Sequence, residues 1–273
     1  MKRFNNLQQR IITGVIGSFF IISSIVGGNW SYFVAFLLIG QLCLYEFYRL
    51  YSEKDIFPNI IQGMIVGVFN YILMYFVVSK GISYNYFSIN ILFITSIFIQ
   101  ELYRRKKSPF LNIAITLLGI VYIILPLMLM HPISYRSGNY SYVPALVIML
   151  MLWGNDSGAY TFGKLFGKNK LFERISPNKT WEGFFGGVFM STSIGLIASF
   201  FFNEFTSLHF LGLGIIVGVL ATYGDLLESM LKRNLQIKDS GTIIPGHGGF
   251  LDRFDGLLLI TPIVYMFQLL INL

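Results

Sequence analysis

The chain has 273 residues, 55% of them hydrophobic and only 12% charged, with a mean hydropathy of +0.66, which is too apolar for a soluble domain of this length. Polarity does not alternate every second residue, so a membrane β-barrel is excluded. The net charge of +7 is spread over short segments without a continuous basic face, which argues against nucleic acid as a partner.

What is left is an all-α integral membrane protein, a polytopic bundle whose solvent is the lipid bilayer. About nine apolar runs recur, each suited to cross about 30 Å of hydrocarbon as a helix. They are 11–28, 30–48, 58–79, 86–101, 110–130, 142–160, 184–202, 208–231 and 256–272. The first follows Lys2, Arg3 and Arg10 and has the outline of a signal peptide. No convincing small-x-small cleavage site follows it, so it is predicted to be a retained span. No internal repeat, low-complexity tract or linker marks a second domain, and residues 1–273 are expected to form a single polytopic membrane domain. Cys43 is the only cysteine and sits in an apolar run, which excludes a disulfide or a cysteine metal site.

Positive charge concentrates on the cytoplasmic side of membrane proteins. With the N-terminus cytoplasmic, alternate segments collect Lys and Arg and leave only Lys80 and Arg136 outside. Most carboxylates fall on the same inner side, with Glu204 alone outside. The segments after the sixth and eighth runs mix carboxylates, lysines, Gly and Ser/Thr in a way that lipid would not tolerate. The active site is therefore predicted at the cytoplasmic face.

After the sixth run the chain reads "WGNDSGAYTFGKLFGKNKLFERISPNKTWEGFFGG". Ser176 and Thr180 offer hydroxyls, Lys179 a charge and Pro177 a turn, a set suited to cradling phosphates. A capping box would need Glu or Gln three residues after either hydroxyl, and neither has it. Ligand contact is accordingly favoured over helix capping.

In the eighth run Asp225, Glu228 and Lys232 are spaced i, i+3, i+7 and share one helical face. Asp225 lies close to the apolar stretch 211–220, where an ionisable residue usually serves an ion, a polar cavity or a partner. Glu228 and Lys232 have the i, i+4 spacing of a helix-end ion pair. Beyond them comes "KDSGTIIPGHGGFLDRFDG". Its glycines, among them Gly248 and Gly249, allow backbone N–H groups to approach an anion. Asp252 and Asp255 are hard oxygen ligands of the kind Mg²⁺ prefers beside phosphates. Lys232, Arg233, Lys238 and Arg253 can neutralise phosphate oxygens. His247 is open between general base, phosphate donor and loop anchor. His131 and His209 stand in or beside apolar runs and are read as structural. Phosphoryl or nucleotidyl chemistry at the membrane follows, with nucleotide and acceptor unnamed.

The stretch Ser229 to Asp255, "SMLKRNLQIKDSGTIIPGHGGFLDRFD", resembles the signature of the phosphatidate cytidylyltransferases, also called CDP-diacylglycerol synthases, and fills every fixed position of it. "NDSGAYTFGKLFGK" with "SPNKTWEG" resembles the family's second conserved region, with Asn178 where a second Lys often stands. The motifs cover about residues 153–256. The resemblance implies that CTP and phosphatidic acid give CDP-diacylglycerol and pyrophosphate with a divalent cation, Mg²⁺ or another, and allows a second ion. It implies Asp225 and Asp252 as metal ligands, and Lys232, Arg233, Lys238 and Arg253 as phosphate-positioning groups. Ser176, Lys179 and Thr180 would bind nucleotide or lipid phosphate, and Asp239, His247, Gly248 and Gly249 complete the expected substrate surface. A homodimer and the bacterial cytoplasmic membrane fit the same resemblance. Another CTP-using membrane enzyme, such as a lipid-alcohol kinase or a cytidylyltransferase for a different lipid phosphate, and an ion-coupled transporter are the competing readings. The transporter predicts paired broken helices in two repeats, which the sequence does not show.

Overall fold

The computed structural model describes residues 6–136, 138–237, 240–241 and 248–271, with side chains from residue 12 onward. Lys238, Asp239 and His247, three of the expected substrate residues, lie outside the described residues. The helices in chain order are α1 (Asn6–Val26), α2 (Asn29–Ser52), α3 (Ile60–Lys80), α4 (Asn90–Tyr103), α5 (Pro109–Gly119), α6 (Leu125–Ser134), α7 (Val143–Phe166), α8 (Trp181–Phe201), α9 (Ser207–Asn234) and α10 (Leu251–Ile271). A 3-10 turn, Tyr84–Ile89, leads into α4, and a π turn, Ile120–Ile124, joins α5 to α6. Pro126 sits just beyond that turn and cannot donate a backbone hydrogen bond, so the wider turn accommodates it within one continuous rod.

Among the described residues each of the nine apolar runs therefore corresponds to a helical rod. Seven are long and apolar enough to cross a membrane, as an all-α membrane protein requires. A shorter apolar stretch, Ile12–Val26, belongs to α1, and Asn155 and Asp156 interrupt the apolar run of α7. That helix does not stop at those two residues; it continues to Phe166. Two small antiparallel hairpins were not predicted. Strands β1 (Tyr135–Arg136) and β2 (Asn139–Tyr140) form one, and β3 (Lys170–Phe172) and β4 (Ser176–Thr180) form the other, with Lys170 opposite Thr180 and Phe172 opposite Ser176. Strands this short are too brief to show a period of two in the sequence.

The chain divides into two compact units. The first comprises Met1–Tyr140 and Leu235–Arg253. Its core is aromatic, with Tyr32, Phe36, Phe47, Tyr48 and Tyr71 all buried. The Tyr48 hydroxyl donates to the Thr116 carbonyl at 2.6 Å, and its ring occupies the space that side chains at Gly63 and Gly119 would need. His131 is fully buried against the rings of Tyr32, Phe33, Tyr71 and Tyr75, a packing role. Near the end of α4, buried Glu101 accepts from Arg104 at 2.8 Å and from Asn112 Nδ2 at 2.6 Å. Arg104 also donates to the Phe57 carbonyl at 2.9 Å, so a residue counted as an orienting charge also ties three segments together.

The second unit comprises Ser141–Asn234 and Phe254–Leu273. Apolar side chains gain little by meeting each other in lipid, so close backbone approach and interhelical hydrogen bonds hold such helices together. Small residues supply both here. A Cβ on Gly158 would fall 2.6 Å from the Gly186 carbonyl, and one on Gly218 would fall 2.7 Å from Val188 Cα. Ser191 Oγ donates to the Gly214 carbonyl at 2.8 Å, and Asn155 Nδ2 donates to the Gly218 carbonyl at 2.9 Å, joining α7, α8 and α9. Gly218→Leu should therefore destabilise the protein by about 2 kcal/mol or more, whereas Gly17→Ala, with nothing within 4 Å of its Cβ, should not. Thermal unfolding of both variants in detergent checks this; equal midpoints would contradict the close crossing.

Candidate active site

Asp225, Glu228 and Lys232 do share one face of α9. That face meets the start of α10 because both backbones are bare where they cross. A Cβ on Gly224 would lie 2.7 Å from the Asp255 carbonyl and 2.8 Å from Gly256 Cα. The crossing gathers Asp225, Glu228 and Asp255 into one group, with one oxygen from each within 4.8 Å of the others. Asp255 Oδ1 also accepts the N–H of Gly256 at 2.8 Å, which orients its carboxylate.

Three carboxylates at this separation repel one another unless cations or protons balance them. Two ammonium groups contribute. Lys232 Nζ lies 2.5 Å from Glu228 Oε2, and the Glu228 side chain is only 1% exposed. The helix-end ion pair expected from the i, i+4 spacing is thus present, and its carboxylate belongs to the acidic group as well. Lys179 Nζ lies 2.5 Å from Asp225 Oδ2, whose side chain is 45% exposed. Lys179 is carried by β4, so the hairpin places the charge of the first polar segment directly on the acidic group. Hard, clustered carboxylate oxygens of this kind suit Mg²⁺ or a similar divalent cation, and the neighbouring ammonium groups suit phosphate oxygens.

The remaining residues of the hairpin have local roles. Thr180 Oγ1 accepts the N–H of Gly183 at 3.2 Å and caps α8. This corrects the sequence argument against capping, because a one-sided cap needs no Glu three residues on. Glu182 instead accepts from the backbone N–H groups of Lys168 and Asn169 and from Asn169 Nδ2, fixing the entry to the hairpin. Ser176 is half-buried opposite Phe172.

In the first unit Asp252 stands in the first turn of α10. Its Oδ2 accepts the N–H of Gly249 at 2.9 Å and of Ser240 at 3.1 Å. The N–H of Gly249, predicted to face an anionic ligand, therefore meets the protein's own carboxylate. Gly248 has φ of 80°, a left-handed conformation that favours glycine. Arg233 and Arg253 are exposed and Lys232 is half-buried. Glu228 was legible in the sequence on the same helical face as Asp225, whereas Asp255 was visible as a carboxylate but not as a member of that group, because its place depends on the Gly224 crossing. Glu46 was missed altogether. It is a carboxylate within an apolar run, buried in the structure, and it accepts the N–H of Leu251 at 2.9 Å.

Residues 8–271 match the sequence model described as "Cytidylyltransferase family". The chain is 30% identical over 270 residues to the phosphatidate cytidylyltransferase of Bacillus subtilis (strain 168), an alignment covering 95% of this chain and 97% of that protein. It is 40% identical over 162 residues to the phosphatidate cytidylyltransferase of Staphylococcus aureus (strain COL), covering 59% of this chain and 60% of the other. A similar stretch, 161 residues at 39% identity, aligns with the phosphatidate cytidylyltransferase of Staphylococcus epidermidis (strain RP62A), again with 59% and 60% covered.

Proposed function

Because the chain belongs to the cytidylyltransferase family, we propose that it is a membrane-embedded phosphatidate cytidylyltransferase, joining CTP to phosphatidic acid to give CDP-diacylglycerol and pyrophosphate. The observation that carries this reading is the meeting of Lys179 with Asp225. Lys179 comes from the polar segment after the sixth run and Asp225 from the eighth run, and together they supply cationic and anionic groups at one place, as phosphoryl chemistry demands.

In the reaction, an anionic phosphate oxygen of phosphatidic acid attacks the α-phosphorus of CTP. The new P–O bond forms as the bond to the bridging oxygen of the β-phosphate breaks, and pyrophosphate carries away the electron pair. The attacking oxygen is already anionic near neutral pH, so no strong base is required, and His247 is not assigned a proton. Asp225, Glu228 and Asp255 would hold a divalent cation, whose charge would offset that of the triphosphate. The signature adds Asp252 as a ligand, a part of the proposal that rests on sequence, and the acidic group allows a second ion. Lys179 and Lys232 position phosphate oxygens; Arg233, Lys238 and Arg253 extend that role. Ser176, Thr180, Asp239, Gly248 and Gly249 belong to the proposed substrate surface, Thr180 while also capping α8.

The basic residues support an N-terminus and an active site on the cytoplasmic side, where CTP is available. The relatives are bacterial, which supports the cell membrane as location, and both units work in one polytopic domain, with a homodimer as the proposed assembly. Incubation of purified protein with phosphatidic acid, Mg²⁺ and cytidine-labelled CTP is expected to move label into the lipid phase, with pyrophosphate released. Release of CDP without labelled lipid would identify a kinase and overturn the proposal.

A further inference from the structure

Glu46 lies within the apolar run of α2 and is 3% exposed, a depth at which a carboxylate is costly unless something holds it. It is held by the start of α10. Leu251 donates its backbone N–H to Oε2 at 2.9 Å, across a sequence separation of 205 residues. That N–H is in the first turn of a helix, where no intrahelical acceptor exists. The same carboxylate also lies beside Gly241 and Gly249. A Cβ on Gly241 would fall 2.8 Å from Oε1, and one on Gly249 would fall 2.5 Å from Oε2. Neither glycine has a positive φ, so at Gly241 an added side chain is opposed by the nearby Glu46 carboxylate and not by backbone conformation.

Asp252 holds the same segment by other N–H groups, those of Ser240 and Gly249. The donors of Ser240, Gly249 and Leu251 are thus divided between two carboxylates. One belongs to α10 itself and the other to a helix near the opposite end of the chain.

We infer that Glu46 is a positioning residue of the transferase. By accepting the Leu251 N–H and filling the space beside Gly241 and Gly249, it sets the place of those three residues and the aim of the Asp252 carboxylate. This rests on the cytidylyltransferase reading. An apolar side chain could fill the space but would leave the Leu251 N–H without an acceptor. Glutamine retains an oxygen at nearly the same volume.

The test uses the full-length protein in detergent, with Glu46→Gln, Glu46→Ala, Gly241→Ala and the pair Glu46→Asp with Gly241→Ala. Glu46→Gln should stay within about threefold of wild-type kcat, whereas Glu46→Ala should lose about thirtyfold with the KM for CTP changed by no more than about twofold. Gly241→Ala should also lose activity, and the shorter Asp at position 46 should restore part of it, the non-additivity expected of residues in contact. Hydrogen–deuterium exchange at residues 249–252 should quicken in Glu46→Ala and remain unchanged in Glu46→Gln. Glu46→Ala with unchanged exchange, or with wild-type kcat, overturns the inference, as does equal damage by Gln and Ala. A wild-type protein that transfers no cytidine would instead sink the cytidylyltransferase reading, and exchange would still decide whether Glu46 holds the segment.

Discussion

Asp225→Asn is expected to lower kcat by about a thousandfold while leaving the unfolding midpoint of the detergent-purified protein unchanged. Asn keeps the shape and can still accept the bond that Ser229 Oγ makes to Oδ1 at 3.3 Å. What disappears is one negative charge from the group formed with Glu228 and Asp255, and with it the ion pair to Lys179. The side chain is half exposed, so the fold loses little from the missing pair. On the proposed mechanism the reaction would lose a ligand to the cation and the balance of a lysine assigned to phosphate, effects that together would account for about 4 kcal/mol of barrier. Single-turnover transfer of labelled cytidine across a Mg²⁺ titration measures this. Half-saturation should move to higher Mg²⁺ alongside the lower plateau. Near-normal turnover at ordinary Mg²⁺ would remove Asp225 from the metal site.

Asp252→Asn should cost at least about a hundredfold, and comparison with Asp252→Ala shows why. The shorter N–H bonds from Ser240 and Gly249 reach Oδ2, with the Ser240 N–H also 3.4 Å from Oδ1, so an Asn oriented with its oxygen at the Oδ2 position keeps those shorter bonds while losing the charge. Ala loses both. If the charge at Asp252 serves the reaction, the two variants fall together in kcat, and only Ala loosens the backbone at Ser240 and Gly249 as measured by hydrogen exchange. Should Asn retain most of the activity, Asp252 would be a loop-ordering residue and the ligand role expected from the signature would be withdrawn.

The helices were legible in the sequence because lipid-spanning segments must satisfy their backbone internally and be apolar throughout, so each apolar run reads as a rod. Pro126 did not break its rod, since a π turn absorbs it. The polar segments were legible as chemistry but less so as geometry. Lys179 was recognised as a charge suited to phosphate, yet its place on β4 beside Asp225 depends on a hairpin too short to leave a pattern. Asp255 was recognised as a hard ligand, yet its meeting with Asp225 depends on the absence of side chains at Gly224 and Gly256. Thr180 shows the opposite error. A rule about paired caps was applied to a hydroxyl that caps alone. Glu46 had a readable signal, a carboxylate inside an apolar run, but its partner is a backbone N–H, and a backbone donor has no letter in a sequence.

The bond between Glu46 and Leu251 also orders events during biosynthesis. A chain emerges from the ribosome with its N-terminal residues first, so α2 exists long before its acceptor finds a donor. Until α10 is begun, a carboxylate destined for burial has neither that N–H nor Gly241 and Gly249 beside it. A nascent chain stalled before Leu251 would therefore carry α2 with Glu46 still lacking the backbone donor that it has in the folded protein.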